Sequence, residues 1–175
     1  MRGFIRNLAC SICKSLGGTP PEVPTLEQYD RWVRSQVGTI ERHEIEWGEL
    51  VKMLREHEIE PMLTHRPDYK KRYVDEATLM KMLPYLTYPA DYYVAELEIV
   101  CDDYARWAAA DARRIFHVSG VFEVWGQTSL GYHAFNLAVV APDAYVLWEP
   151  NACFPFAGEL FVRGGGYNYQ PDKWK

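Results

Sequence analysis

With 175 residues, 48% of them hydrophobic and 25% charged, the chain fits one globular domain with a full core and, at most, a small helical extension. Its net charge of −5 argues against nucleic acid as the main partner, because phosphate binding needs a basic face. No apolar run reaches the roughly 20 residues of a membrane span. Met1 to Leu16 lacks the continuous apolar stretch of a secretion signal, so a cytoplasmic protein is expected.

In chain order, residues 1–24 read as an N-terminal arm and linker. The stretch from Gly17 to Pro24 holds two glycines and three prolines and cannot continue a helix or a strand. Cys10 and Cys13 in this arm have no second Cys/His pair at zinc-finger spacing and read as ordinary thiols. Residues 25–175 then form a single domain. Thr25, with Gln28 three residues on, predicts a capping box. Leu26, Tyr29, Trp32 and Val33 share one helical face and read as core. Ile40 to Glu60 is expected to be a second helix with a solvated charged face, ended by Pro61. The basic cluster Arg66, Lys70, Lys71 and Arg72 reads as a solvated loop. Asp75 predicts the N-cap of a short helix carrying Leu79, Met80, Met82 and Leu83.

From Val100 the pattern changes. Asp102 to Phe116 predicts a helix, with acidic residues in its first turn and Arg113 and Arg114 in its last. Four strand-like runs follow, at 121–125, 132–141, 144–148 and 159–162. Pro142-Asp143 makes the middle two a hairpin. Gly164-Gly165-Gly166 opens what reads as a loose aromatic tail. Helices first and an antiparallel meander after give an α+β fold.

Three residues in that second half can carry chemistry together. A cysteine at the start of the 102–116 helix gains thiolate stabilisation from the helix dipole, while Asp102 and Asp103 oppose it. His133 opens an otherwise apolar strand, where a polar group must be paired or sit at a cleft rim. Glu149 closes the partner strand, where a carboxylate can fix the tautomer of an imidazole. By residue type alone, each also reads as an ordinary structural residue. Parity supplies a test. A two-residue loop pairs Ala141 with Ala144 and puts His133 and Glu149 on opposite faces. A three-residue loop, or one bulge, puts them on the same face. Asn136 is the runner-up orienter but sits on the opposite face of the histidine strand. A metal site using Cys101, His133 and an aspartate is the weakest reading, because no pair has recognisable ligand spacing.

The segments Cys101-Asp102-Asp103-Tyr104-Ala105, Gly131-Tyr132-His133-Ala134-Phe135-Asn136 and Trp148-Glu149-Pro150-Asn151 resemble the motifs of papain-like, transglutaminase-like cysteine peptidases. That family has phage-borne members, and the protease domain of a fungal chimeric lectin is similar. The resemblance covers about residues 92–155. It implies a papain-like fold, with an antiparallel sheet packed on the helix that starts at the cysteine. It implies a peptidase or amidase with Cys101 as nucleophile, His133 as general base and Glu149 as orienter. A peptide or protein substrate follows, as do virion association and possible contact with phage virion proteins. Calcium enters by resemblance only, since no full oxygen-ligand set stands in the sequence. Tyr104, Trp125 and Tyr132 are the expected substrate-binding residues, chosen by proximity. The chain departs from the family where a glutamine usually precedes the cysteine: the nearest upstream glutamine is Gln36. Asn151 also stands where the family often has glutamine. The alternative is a catalytically silent virion or binding protein that keeps the fold.

Overall fold

The computed structural model describes residues 24–62, 70–93 and 100–175. Cys10, Cys13, Arg66 and the linker before Pro24 lie outside the described residues. The chain divides into two compact units, Met1–Gln36 and Val37–Lys175. In the first, helix α1 (Leu26–Val37) starts at the expected capping box. The Thr25 N–H donates to Gln28 Oε1 at 2.6 Å, and the Gln28 N–H donates to Thr25 Oγ1 at 3.2 Å. Leu26 and Trp32, expected in a core, are 48% and 53% exposed.

The second unit is α+β. The region expected to be one helix from Ile40 splits into strand β1 (His43–Glu46) and helix α2 (Trp47–Glu56). The physical reason lies 24 or more residues downstream in the basic cluster, which is not a loop but strand β3 (Lys70–Tyr73), antiparallel to β1. Lys70 Nζ sits 3.2 Å from Glu44 and 3.4 Å from Glu46, and Arg72 Nε sits 3.6 Å from Glu44. Opposite charges across a strand pair favour the sheet over the helix that local propensity suggests. Asp75 caps helix α3 (Glu76–Met82) as expected, accepting from the Thr78 N–H at 2.7 Å.

The main sheet has five strands in the order β2 (Glu60–Pro61), β7 (Gln170–Trp174), β4 (Val121–Thr128), β5 (Gly131–Ala141), β6 (Ala144–Trp148). Only the β2–β7 pair is parallel. Helix α4 (Cys101–Phe116) packs across β4 and β5. Its buried Ala105, Ala108 and Ala112 let its backbone lie close to the strands. Asn136 ties the layers together, donating from one amide nitrogen to Ala105 O on α4 at 2.8 Å and to Phe122 O on β4 at 3.1 Å. Leu50, Met53 and Leu54 of α2 join Phe135, Leu137, Val139, Tyr169 and Trp174 in the main core. Each such side chain, fully buried, stabilises the fold by about 1.5–3 kcal/mol before entropy is counted.

Two expectations for the C-terminal third are corrected. Residues 159–162 form no strand; Phe161 makes a single bridge to Leu147. The glycine-rich tail is not loose, because its end supplies β7 to the sheet. Gly126 makes room for it: a Cβ there would lie 2.7 Å from Pro171 Cα.

Candidate active site

Val100 is extended (φ −130°), and α4 begins at Cys101. The first N–H groups of a helix have no intrahelical acceptor, so the Cys101 N–H is available to an incoming oxygen. The Val100 N–H is held by Asp103 Oδ2 at 3.2 Å, which fixes the entry of the chain into the helix. Cys101 is a free, half-buried thiol. The two aspartates beside it do not stand alone. Arg106 reaches Asp102 at 2.9 Å and Asp103 at 3.1 Å, and its Nε lies 3.5 Å from Glu123. The acidic charge that opposes a thiolate is thereby offset in part by one guanidinium a helical turn away.

His133 and Glu149 meet through the bulge that parity requires. The turn is the two-residue one, with Ala141 opposite Ala144, yet Asn136 pairs with Trp148 and Val139 with Tyr145. The register shifts between Val139 and Ala141, so Val140 is the extra residue. His133 and Glu149 then face the same side, with Nε2 2.8 Å from Oε2.

Glu149 is fully buried and its carboxylate is surrounded by donors. Oε2 also accepts the Tyr169 hydroxyl at 2.7 Å, and Oε1 accepts the Asn151 N–H at 2.9 Å. The backbone is clamped as well. The Gly158 N–H donates to Glu149 O at 3.0 Å, and the Tyr88 N–H donates to Pro150 O at 2.7 Å. Burying a carboxylate is costly unless it is hydrogen-bonded, and these contacts meet that cost.

The imidazole of His133 is only 16% exposed. It packs 5.3 Å from the Phe154 ring and edge-on, at 5.8 Å, to Tyr169. Burial disfavours its charged form, but the nearby Cys101 side chain and the hydrogen-bonded Glu149 carboxylate outweigh that and push its pKa up to about 9. An ionised Glu149 can only accept, so Nε2 donates to it, and Nδ1 is the ring nitrogen left for the thiol. Burial, then the negative charge of Glu149, pushes the Tyr169 phenol far above its ordinary range and keeps it a donor.

Cys101, His133 and Glu149 are therefore one constellation. Asn136 faces α4 instead and does not orient the imidazole. Of the three residues expected to bind substrate, Tyr104 is fully buried and donates to Pro89 O at 2.9 Å. Trp125 and Tyr132 stack, with ring centroids 6.0 Å apart. The Tyr132 ring is half exposed, and its hydroxyl donates to Asp172 at 2.8 Å. Sequence reading missed Tyr169 because it lay in the supposed loose tail. It missed Arg106 as the partner of the aspartates, although their i, i+3 and i, i+4 spacing carried the signal. Among the described residues, no group of three or more His, Cys, Asp or Glu side chains is placed to hold a metal ion. No described helix is long and apolar enough to cross a membrane.

No protein-family model and no curated protein matches the sequence. Solved structures do resemble its fold. A complex of PSL1a with E64 superposes with a TM-score of 0.52 at 14% identity, covering 75% of this chain and 50% of that one. Polyporus squamosus lectin bound to the human-type influenza-binding epitope Neu5Aca2-6Galb1-4GlcNAc gives a TM-score of 0.52 at 12% identity, covering 75% and 49%. The chain thus spans about half the length of each of these proteins, and at such identities the likeness concerns the fold.

Proposed function

We propose that the chain is a cysteine hydrolase of the papain-like, transglutaminase-like kind, acting on a peptide or amide bond. Cys101 Sγ attacks the carbonyl carbon, and the Cys101 N–H donates to the developing oxyanion. His133 holds, as an imidazolium, the proton the thiol gives up and passes it to the leaving amine, which departs and leaves a thioester. Water, deprotonated by His133, then releases the acid and restores the thiol. Glu149 keeps the imidazole in one orientation and supports its charge. The observation that carries this reading is the buried Glu149 carboxylate held 2.8 Å from His133 Nε2, with the Cys101 side chain against the same imidazole.

Alkylation tests it. Iodoacetamide near neutral pH should modify Cys101 well ahead of Cys10, Cys13 and Cys153, and His133→Ala should abolish that preference. E64, the compound named in the PSL1a complex, is a second probe and should protect Cys101 from the reagent. Slow, equal modification of all four thiols would remove the enzyme reading. It would favour a catalytically silent virion or binding protein, a reading supported by the lack of any glutamine between Gln36 and Cys101.

A further inference from the structure

A cavity of about 610 Å³ lies between one flank of α4 and strands β4 and β7, and neither Cys101, His133 nor Glu149 lines it. Its walls are aromatic. Trp174 packs edge-on to Phe122 at 4.8 Å and tilts against Trp47 at 5.0 Å. One side is the stripe of α4 that carries Arg106, Ala109, Ala110 and Arg113, where the two alanines leave the space open between two guanidinium groups. Lys71, buried to 1% exposure, holds its ammonium 5.5 Å from the centre of the Trp47 ring and also borders the cavity.

The charges around this space are unbalanced. Glu123 is the one acidic side chain among the described lining residues, and it is already engaged by Arg106 at 3.5 Å and by the Trp125 indole N–H at 3.1 Å. Arg113 is exposed and forms no ion pair with any described residue. Arg106 is shared with Asp102, Asp103 and Glu123, so in a chain of net charge −5 Arg113 is the lining guanidinium that stands beside this space without a described ion-pair partner. Apolar walls with a few convergent charged groups, at a volume within roughly 300–1,000 Å³, match what small-molecule sites present.

We propose that this cavity binds a small organic anion: one carboxylate on a flat apolar body. The body lies among Trp47, Phe122 and Trp174, and the carboxylate pairs with Arg113 at the mouth. A guanidinium presents two parallel donors to a carboxylate, so the pairing has geometry as well as charge.

Calorimetric titration of the full chain with 2-naphthoate, against its uncharged counterpart 2-naphthamide, tests the proposal. Naphthoate should bind one to one with a dissociation constant roughly in the tens of micromolar. Naphthamide should bind at least about tenfold more weakly. Arg113→Glu should weaken naphthoate by about tenfold and naphthamide by less than about twofold. Ala110→Trp, at an exposed helical position, should fill the space and abolish both. Thermal unfolding of each variant checks that it folds, and Arg113→Gln supplies a milder version of the charge change. Absence of saturable binding to the unmodified chain would overturn the proposal. So would equal affinity for the acid and the amide, or binding that survives Ala110→Trp.

Discussion

The Tyr169 hydroxyl and His133 Nε2 converge on a single oxygen of Glu149, at 2.7 and 2.8 Å. Both donors hold Oε2, and the Asn151 N–H holds Oε1. Tyr169→Phe removes one donor while keeping the ring that packs at 4.6 Å on Phe135. A hydrogen bond to a buried charged group contributes about 1.5–3 kcal/mol. The variant should lose roughly that much in urea unfolding and should still fold. On the catalytic reading, Cys101 alkylation should also change rate and the His133 limb of its pH profile shift upward, because a carboxylate that has lost a donor presents more of its charge to the imidazolium. A stability loss with an unmoved pH profile would assign Tyr169 to packing alone.

The raised pKa of His133 has a direction for pH. Against burial, contacts with Cys101 and Glu149 favour the imidazolium in the folded chain and push its pKa from 6.5 to about 9. The stability from this group is therefore complete below about 6.5 and is lost as pH rises through about 9. The melting temperature of the native chain, minus that of His133→Gln, should shrink between pH 6 and pH 10. If the chain is the proposed hydrolase, its activity should fall over the same upper limb, since a deprotonated imidazole cannot protonate the leaving amine. A constant difference across that range would show that the imidazolium is not favoured by folding.

Arg106 matters for the thiol because it pairs with both aspartates at the start of α4. Arg106→Gln leaves two unmatched carboxylates next to Cys101, and like charge disfavours a thiolate. These groups are partly exposed, so solvent reduces the effect. Iodoacetamide should modify Cys101 about threefold more slowly in the variant at low salt, with the gap narrowing as salt rises. An unchanged rate would mean that the aspartates do not act on the sulfur.

What could be read from the sequence was what nearby residues decide. Thr25 with Gln28, Asp75, the helix after Val100 and the Pro142-Asp143 turn each depend on a few consecutive side chains, and all four are where they were expected. Parity arithmetic went further, because it stated that a two-residue turn and a shared His133–Glu149 face require a bulge. It could not place that bulge at Val140, since nothing in Ala138-Val139-Val140 sets one residue apart. The misreadings have one cause. Glu44 and Glu46 suggest a helix surface until Lys70 and Arg72 are known to lie opposite. The tail looks loose until β4 is known to carry a glycine where β7 crosses it. Long-range pairing overrode local preference at both places, and Tyr169 was lost from the site with the second.

Gly126 joins that pairing to the site. An added Cβ would lie 2.7 Å from both the Gln170 carbonyl carbon and Pro171 Cα, which is backbone that no rotamer change can clear. Gly126→Ala must therefore displace β7 near Tyr169, the residue that donates to Glu149. Overpacking of this kind costs about 1–3 kcal/mol or more, so the variant should unfold at clearly lower urea and also slow Cys101 alkylation. Gly48, inside α2, provides the contrast, because nothing lies within 4 Å of its added Cβ. Gly48→Ala should raise stability by about 0.5–1 kcal/mol through helix propensity and leave the thiol's reactivity unchanged. Equal effects of the two substitutions on unfolding would show that the close approach of β7 to Gly126 does not constrain the fold.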